Sequence, residues 1–255
     1  MMTALAGQEN GELRVCAIHL PQAQERKRRF LELNQIEGVR FVFVDGVDGR
    51  QLDLQELIRQ NLMRPGTTRF TFSTVGGGLA HRATWLQAVA LGAPIVVCED
   101  DAVFRKDFRR QFEACRKAVP DDWDLILLGY NFDSVLDAEL IPGVECLRAR
   151  FLKRPLGEPE LRRFQEATNP ISMLPLRNAF GLPAYAISPD GARHLLSNVF
   201  PIHNRPVPVP ALSRTIVSFS IDATMNGFYK DMAAYVCVPP LVVSPNQKDP
   251  DDREI

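Results

Sequence analysis

The chain has 255 residues, 45% hydrophobic and 24% charged, which suits one large α/β domain, or two small ones, with a sizeable buried core. Thirty basic residues stand against thirty-one acidic ones, so no overall field recruits nucleic acid. Five scattered cysteines, without a C-x-x-C pair, indicate neither a zinc site nor a disulfide scaffold and point to a reducing cytosol.

The first twelve residues, "MMTALAGQENGE", lack a basic n-region and a long apolar h-region, so they do not read as a signal peptide. The longest apolar stretch, Ala88 to Cys98, contains Gly92 and Pro94 and is about half a membrane span. "LRVCAIHL" from Leu13 predicts a buried strand. "QERKRRFLELNQI" predicts a helix with apolar positions at Phe30, Leu33 and Ile36. "VRFVFVDGVDG" is a second strand running into a turn at Asp45 to Gly49. Asp53 and Glu56 then mark a helix start with N-cap and capping-box spacing.

Arg64 to Gly78, with Pro65, Gly66 and three successive glycines, reads as a loop, followed by a helix over Leu79 to Leu91. A strand ending at Glu99, a helix "DFRRQFEACRKAV" and a strand "WDLILLGY" come next. Strands alternating with helices in this way predict a mostly parallel sheet covered by helices on both faces. From Asn131 to Asn178 the pattern weakens and reads as an elaborated insertion. "GLPAYAIS" returns as a strand and "PDGARHLLSNV" as a helix opened by Pro189. Four prolines between Pro201 and Pro210 predict an extended loop. A helix-like "SIDATMNGFYKDMA" and a last strand, "AYVCVPPLVV", precede a polar tail.

The chemistry concentrates in "PIVVCEDDAV", where an apolar strand runs into Glu99, Asp100 and Asp101. Ligands of open α/β sheets sit beyond the carboxyl ends of the strands. Three carboxylates there suit a hard divalent cation such as Mg²⁺ or Mn²⁺, which would offset their mutual repulsion. Taken alone, the triplet is equally a solvated acidic turn before a helix. A haloacid-dehalogenase-type aspartate pair fails, because Val103 stands where the second aspartate belongs. A dinucleotide fingerprint is weak, since "GGGLAH" places His81 at the third glycine position.

The surrounding words are more specific. "VGGGLAHRATWLQAVALGAPIVVCEDDAVFRKDF" resembles the core of glycosyltransferase family 25, with Gly78, His81 and Trp85 in place and Ala80 where serine is usual. "CAIHLPQAQERKRRF", "FVFVDGVDGR", "DDWDLILLGY", "AYAISPDGARHLL", "SIDATMN" and the tail "VPPLVVSPNQKDPDDREI" follow the family in order.

The resemblance implies a single GT-A type (Rossmann-like) α/β domain over 1–255. Residues 12–130 would bind nucleotide sugar, 131–178 would be an insertion, and 179–255 an elaborated acceptor-side half with the tail. It implies transfer of a hexose, galactose from UDP-galactose above all, with inversion, onto a bacterial lipopolysaccharide or other surface glycan. Mn²⁺ or Mg²⁺ is the implied cofactor, with Asp101 and Glu99 as metal ligands. Asp100 would hold ribose or metal-bound water. Asp222 is the implied general base and Asp133 the second candidate. The expected compartment is the cytoplasm, or a peripheral position at the inner membrane face.

Other candidates carry alternatives. His81 and Trp85, four apart on one helix, serve either the core or the substrate, with His81 the one to cover the diphosphate and Trp85 the one to pack. The glycines Gly76 to Gly78 either admit a phosphate or sugar to the backbone or form a flexible loop. Asp45 and Asp48 fit turn chemistry as well as a uridine contact. Arg26, nearest the strand end, is a nucleotide contact or part of a solvated helix face. Tyr185 reads as core, and Lys248 as a side chain that closes over the diphosphate. A nucleotide-sugar-binding protein without turnover and a metal-dependent phosphate-ester hydrolase are the competing functions.

Overall fold

The computed structural model describes residues 11–152 and 156–245. The first half runs β1 (Leu13–His19), α1 (Gln24–Leu33), β2 (Val39–Asp45), α2 (Leu54–Arg59), α3 (Phe72–Leu91), β3 (Ile95–Glu99), β4 (Val103–Phe104), α4 (Phe108–Ala118) and β5 (Leu125–Leu127). The second half adds β6 (Val135–Ile141), β7 (Glu145–Arg150), α5 (Glu158–Gln165), β8 (Ser172–Ala179), β9 (Ala184–Ile187), α6 (Pro189–Val199), β10 (Pro206–Val209), β11 (Arg214–Val217), α7 (Ile221–Met225), β12 (Ala234–Val238) and β13 (Val242–Val243).

Nine strands form one sheet in the order β2-β1-β3-β9-β5-β12-β8-β6-β7, six of them running the same way. The three that run against the rest are β9, β8 and β7. This is the predicted α/β class, a large, mostly parallel sheet flanked by helices. The side-chain period of two divides each central strand between the faces. Ile95 and Val97, with Tyr185 and Ile187, pack with Trp85 of α3 and Leu195 of α6. Val96 and Cys98, with Ala184 and Ala186, pack instead with Phe30 of α1 and Phe108 and Phe112 of α4. Each large apolar side chain so buried contributes about 1.5–3 kcal/mol.

The helix predicted from Leu79 begins seven residues earlier, at Phe72, so Gly76 to Gly78 are helical rather than loop. Thr71 caps it: its hydroxyl accepts the Thr74 N–H at 3.1 Å, and the Thr74 hydroxyl accepts the Thr71 N–H at 2.8 Å. A Cβ on Gly76 would stand 2.3 Å from the carbonyl oxygen of Val47, so glycine lets the helix lie directly on the turn after β2. Asp53 caps α2 as predicted, accepting the N–H groups of Gln55 and Glu56.

The proline-rich segment is a further correction. It holds a two-stranded ribbon in which β10 pairs antiparallel with β11. Pro206 and Pro208 occupy the exposed positions of β10 and Val207 and Val209 the buried ones. In a two-stranded ribbon both strands are edges, where proline is tolerated. Within 131–178, β6, β7 and most of β8 extend the central sheet. Among the described residues no helix is long and apolar enough to cross a membrane.

Candidate active site

The parallel register of β1 and β3 sets Ile18 opposite Glu99, so the next residues on each strand, His19 and Asp100, emerge side by side. His19 Nδ1 lies 2.8 Å from Asp100 Oδ2, and both side chains are buried. Facing a carboxylate oxygen, Nδ1 is the donor. His19 Nε2 is buried without a hydrogen-bond partner among the described residues. The guanidinium of Arg26, in the first turn of α1, donates to the other oxygen, Asp100 Oδ1. Asp45 ends β2 opposite His19 in register, exposed at the same sheet edge. Asp48 Oδ2 accepts from Gln22 Nε2 at 3.1 Å, and its Oδ1 caps the following turn through Arg50 N–H.

Asp101 points elsewhere. β13 lies antiparallel on β4, and this brings Ser244 to donate its hydroxyl to Asp101 Oδ2 at 2.6 Å. Asp101 Oδ1 is shut off from solvent and has no hydrogen-bond partner among the described residues. Burial, reinforced by the neighbouring Glu99 charge, pushes the Asp101 carboxyl up to about 6. Glu99 remains 41% exposed at the side chain, with His81 Nε2 at 3.5 Å.

His81 and Trp85 converge on one buried hydroxyl. Trp85 Nε1 donates to Tyr185 Oη at 2.8 Å, and His81 Nδ1 lies 2.9 Å from the same oxygen. The Tyr185 phenol thus joins the Trp85 indole to the His81 imidazole, whose Nε2 faces Glu99. Burial holds the Tyr185 hydroxyl well above its ordinary range, so it stays protonated. Gly78 is buried in α3, where a Cβ would meet the Ile202 and Ile221 side chains at 3.4–3.8 Å.

Asp222 is the second residue of α7, which Ser220 caps. Its Oδ2 accepts the Gly181 N–H at 2.7 Å, and Ser220 donates to Oδ1. Gly181 has φ +83°, a backbone conformation that favours glycine, and the Asn131 amide packs against it where a Cβ would stand. Two residues on, the Pro183 carbonyl accepts the Glu99 N–H at 3.1 Å. The short Gly181–Pro183 stretch therefore ties Asp222 to the acidic end of β3. Asp133 is half-buried two residues beyond Asn131, in the loop that packs on Gly181. Lys248 lies outside the described residues.

The edge thus gathers Asp45, Arg26, Glu99, Asp100 and Asp101, with Asp222 one loop away. Sequence reasoning missed His19, Ser244 and Gly181. His19 was detectable as the polar residue ending a strand parallel to the acidic one, whereas Ser244 carried no local signal. Among the described residues no group of three or more His, Cys, Asp or Glu could hold a metal unaided. The donor chemistry nonetheless fits a hard cation held by one or two carboxylates and completed by substrate phosphates. Asp101 offers a buried, unpartnered oxygen, and Glu99 an accessible carboxylate.

An α/β sheet whose strand ends present carboxylates offers a ligand site outside those ends. The family described as "Glycosyltransferase family 25 (LPS biosynthesis protein)" matches residues 14–211, and the chain belongs to that family. Similar proteins include "Inactive glycosyltransferase 25 family member 3" of Mus musculus, 33% identical over 144 residues, which cover 51% of this chain and 24% of that protein. "Probable inactive glycosyltransferase 25 family member 3" of Rattus norvegicus is 32% identical over 144 residues, covering 51% and 25%. The matched region thus spans about a quarter of the length of these curated relatives. Among solved structures, apo mouse xyloside xylosyltransferase 1 aligns at TM-score 0.35 and 12% identity, covering 89% of this chain and 72% of that one.

Proposed function

We propose that this family 25 domain is an active, metal-dependent hexosyltransferase that uses a UDP-sugar, UDP-galactose first, and inverts at the anomeric carbon. The acceptor is a hydroxyl of a bacterial lipopolysaccharide or other surface glycan, modified at the cytoplasmic side. The observation that carries this reading is the orphaned, buried Oδ1 of Asp101 beside accessible Glu99 at the carboxyl end of β3. Mn²⁺ or Mg²⁺ held by Asp101 and Glu99 would supply Lewis-acid stabilisation of the diphosphate leaving group. Asp100, held by His19 and Arg26, presents the nucleotide with an ordered edge rather than a mobile carboxylate. Asp45 and Asp48 border the same edge for the nucleoside, and His81 keeps Glu99 oriented from the core side.

Asp222 is the group that takes the acceptor hydroxyl's proton. Ser220 and Gly181 occupy one lone pair on each of its oxygens and fix its rotamer, leaving lone pairs to receive the proton. Asp133 is the alternative base. The experiment is UDP release from UDP-galactose with and without Mn²⁺. Metal-dependent release, lost in Asp101→Ala, supports the reading, and release unaffected by both overturns it. Full transfer by Asp222→Asn would move the base to Asp133.

A second reading, nucleotide-sugar binding without turnover, is favoured by one feature: both oxygens of Asp100 are already engaged by protein groups. The word "inactive" in the names of the two rodent relatives points the same way. UDP-sugar binding with no release across a donor and acceptor panel would establish it.

A further inference from the structure

A second concave site lies at the far end of the sheet. A cavity of about 280 Å³ is lined by Arg150, Ala211, Leu212, Ser213 and Arg214. That is just below the roughly 300–1,000 Å³ usual for small-molecule sites. Arg150 is the last residue of β7, the edge strand opposite the β2-β1-β3 end that carries the acidic triplet. Six strand spacings separate β7 from β3, roughly 29 Å along a flat sheet. The cavity is therefore separate from the carboxylate edge.

The register explains why its charge is unsatisfied. Arg148 and Arg150 share a face of β7. Arg148 lies opposite Asp137 and pairs with it at 3.3 Å, whereas Arg150 lies opposite Val135. Arg214, at the start of β11, likewise lies opposite Val209. Both arginines are exposed, neither has an ion-pair partner among the described residues, and no lining residue is acidic. Ala211 and Leu212 give the cavity an apolar lining, and Ser213 adds a hydroxyl. Ser213 holds φ +52°, uncommon for serine, in closing the ribbon.

The cavity is also joined to Asp222. Ala211 and Leu212 pack on the small core of Val135, Phe180, Val207, Val209 and Ala223. Phe180 precedes Gly181, whose amide holds Asp222, and Ala223 follows Asp222. We infer that this cavity binds an anionic group of the acceptor glycan, a sugar carboxylate or a sugar phosphate, and so helps place the acceptor relative to Asp222. The guanidinium groups supply charge-assisted hydrogen bonds, and the apolar lining receives the face of a sugar ring. Assignment to the acceptor rests on the transferase reading above.

The test is NMR titration of the full chain with glucuronate, glucose 6-phosphate and neutral glucose, without donor or metal. At least one anionic probe should bind about tenfold or more tightly than glucose, and more weakly as salt rises. Whichever of the two binds more tightly identifies carboxylate or phosphate as the natural group. Arg150→Ala with Arg214→Ala should abolish the preference at an unchanged melting midpoint, since both residues are exposed. Equal binding of glucose and both anions overturns the inference, as does a preference that survives the double variant. Neither result depends on turnover, so failure here leaves the transfer reading standing, and failure of UDP release leaves the anion site standing.

Discussion

His19 and Asp100, 81 residues apart in sequence, form a buried hydrogen-bonded pair at 2.8 Å where two parallel strands end. The pair fixes Asp100 from the inside, while Arg26, 55% exposed at the side chain, holds it from outside. Removing the carboxylate strands a buried imidazole N–H, at a cost of about 1–3 kcal/mol, and takes the Arg26 contact with it. An exposed arginine contributes under about 1 kcal/mol. Asp100→Ala should therefore lower the melting midpoint by roughly 2–12 °C, and Arg26→Ala by less, no more than about 4 °C. Differential scanning calorimetry of both variants checks the ranking. Equal shifts would mean that the histidine contact carries no special weight.

Asp101 makes a pH prediction whose sign is fixed by its raised carboxyl. The ordinary value is 3.8 and the folded value about 6. The native state then holds a proton that the unfolded chain has released. The stabilisation this provides is complete below about pH 4 and disappears as pH rises through 6. It amounts to at most roughly 3 kcal/mol. Glu99 and Asp100 push in this direction, while Ser244 and Arg26 oppose it. Ligand-free wild type should lose stability between pH 4 and 7, and Asp101→Asn should flatten that slope. A cation at Asp101 competes with the same proton, so thermal stabilisation by Mn²⁺ should grow from pH 5 to 7. Mn²⁺ stabilisation of equal size at both pH values would count against the Asp101 site.

Tyr185 carries two hydrogen bonds through one oxygen. Tyr185→Phe leaves the Trp85 indole N–H and His81 Nδ1 buried without a partner, at a cost of about 1–3 kcal/mol per stranded group. Trp85→Phe removes only a donor and leaves the Tyr185–His81 contact in place, but it also opens space in the core, so its melting midpoint is a poor test. The better readout is His81, whose Nε2 faces Glu99. Its imidazole ¹⁵N shifts should move in Tyr185→Phe and stay in place in Trp85→Phe. Unchanged shifts in both would break the inferred chain from Trp85 to Glu99.

Much of this was legible from sequence because apolar runs and periodicity are local. β1, β3, α4 and α6 announce themselves in that way, and the acidic end of β3 came with them. The ribbon of β10 and β11 hid behind its prolines, since alternation of proline with valine reads as loop until both strands are known to be edges. Asp100's partnership with His19 and Asp101's with Ser244 depend on strand register and on the path of the tail, 81 and 143 residues away in sequence. No window of local sequence contains that information. Three adjacent glycines argued against helix for a sound reason, low propensity, and were overruled by tertiary contact.

Those glycines provide the last test, because two neighbours in one helix should respond with opposite signs. Gly77 has nothing within 4 Å of a built Cβ, so alanine there only improves helix propensity. Gly77→Ala should stabilise by about 0.5–1 kcal/mol, raising the melting midpoint by roughly 1–4 °C. At Gly76 the same methyl would meet the Val47 carbonyl at 2.3 Å and the Gly49 N at 2.8 Å, both backbone atoms that cannot rotate away. Gly76→Ala must therefore push α3 off the turn that carries Asp48, at a cost of about 1–3 kcal/mol. Displacing that turn also disturbs the Gln22–Asp48 contact beside the carboxylate edge, so UDP affinity should fall in Gly76→Ala and hold in Gly77→Ala. If both alanines stabilise, the helix does not lie on the turn as described. If both destabilise, the space around Gly77 is filled.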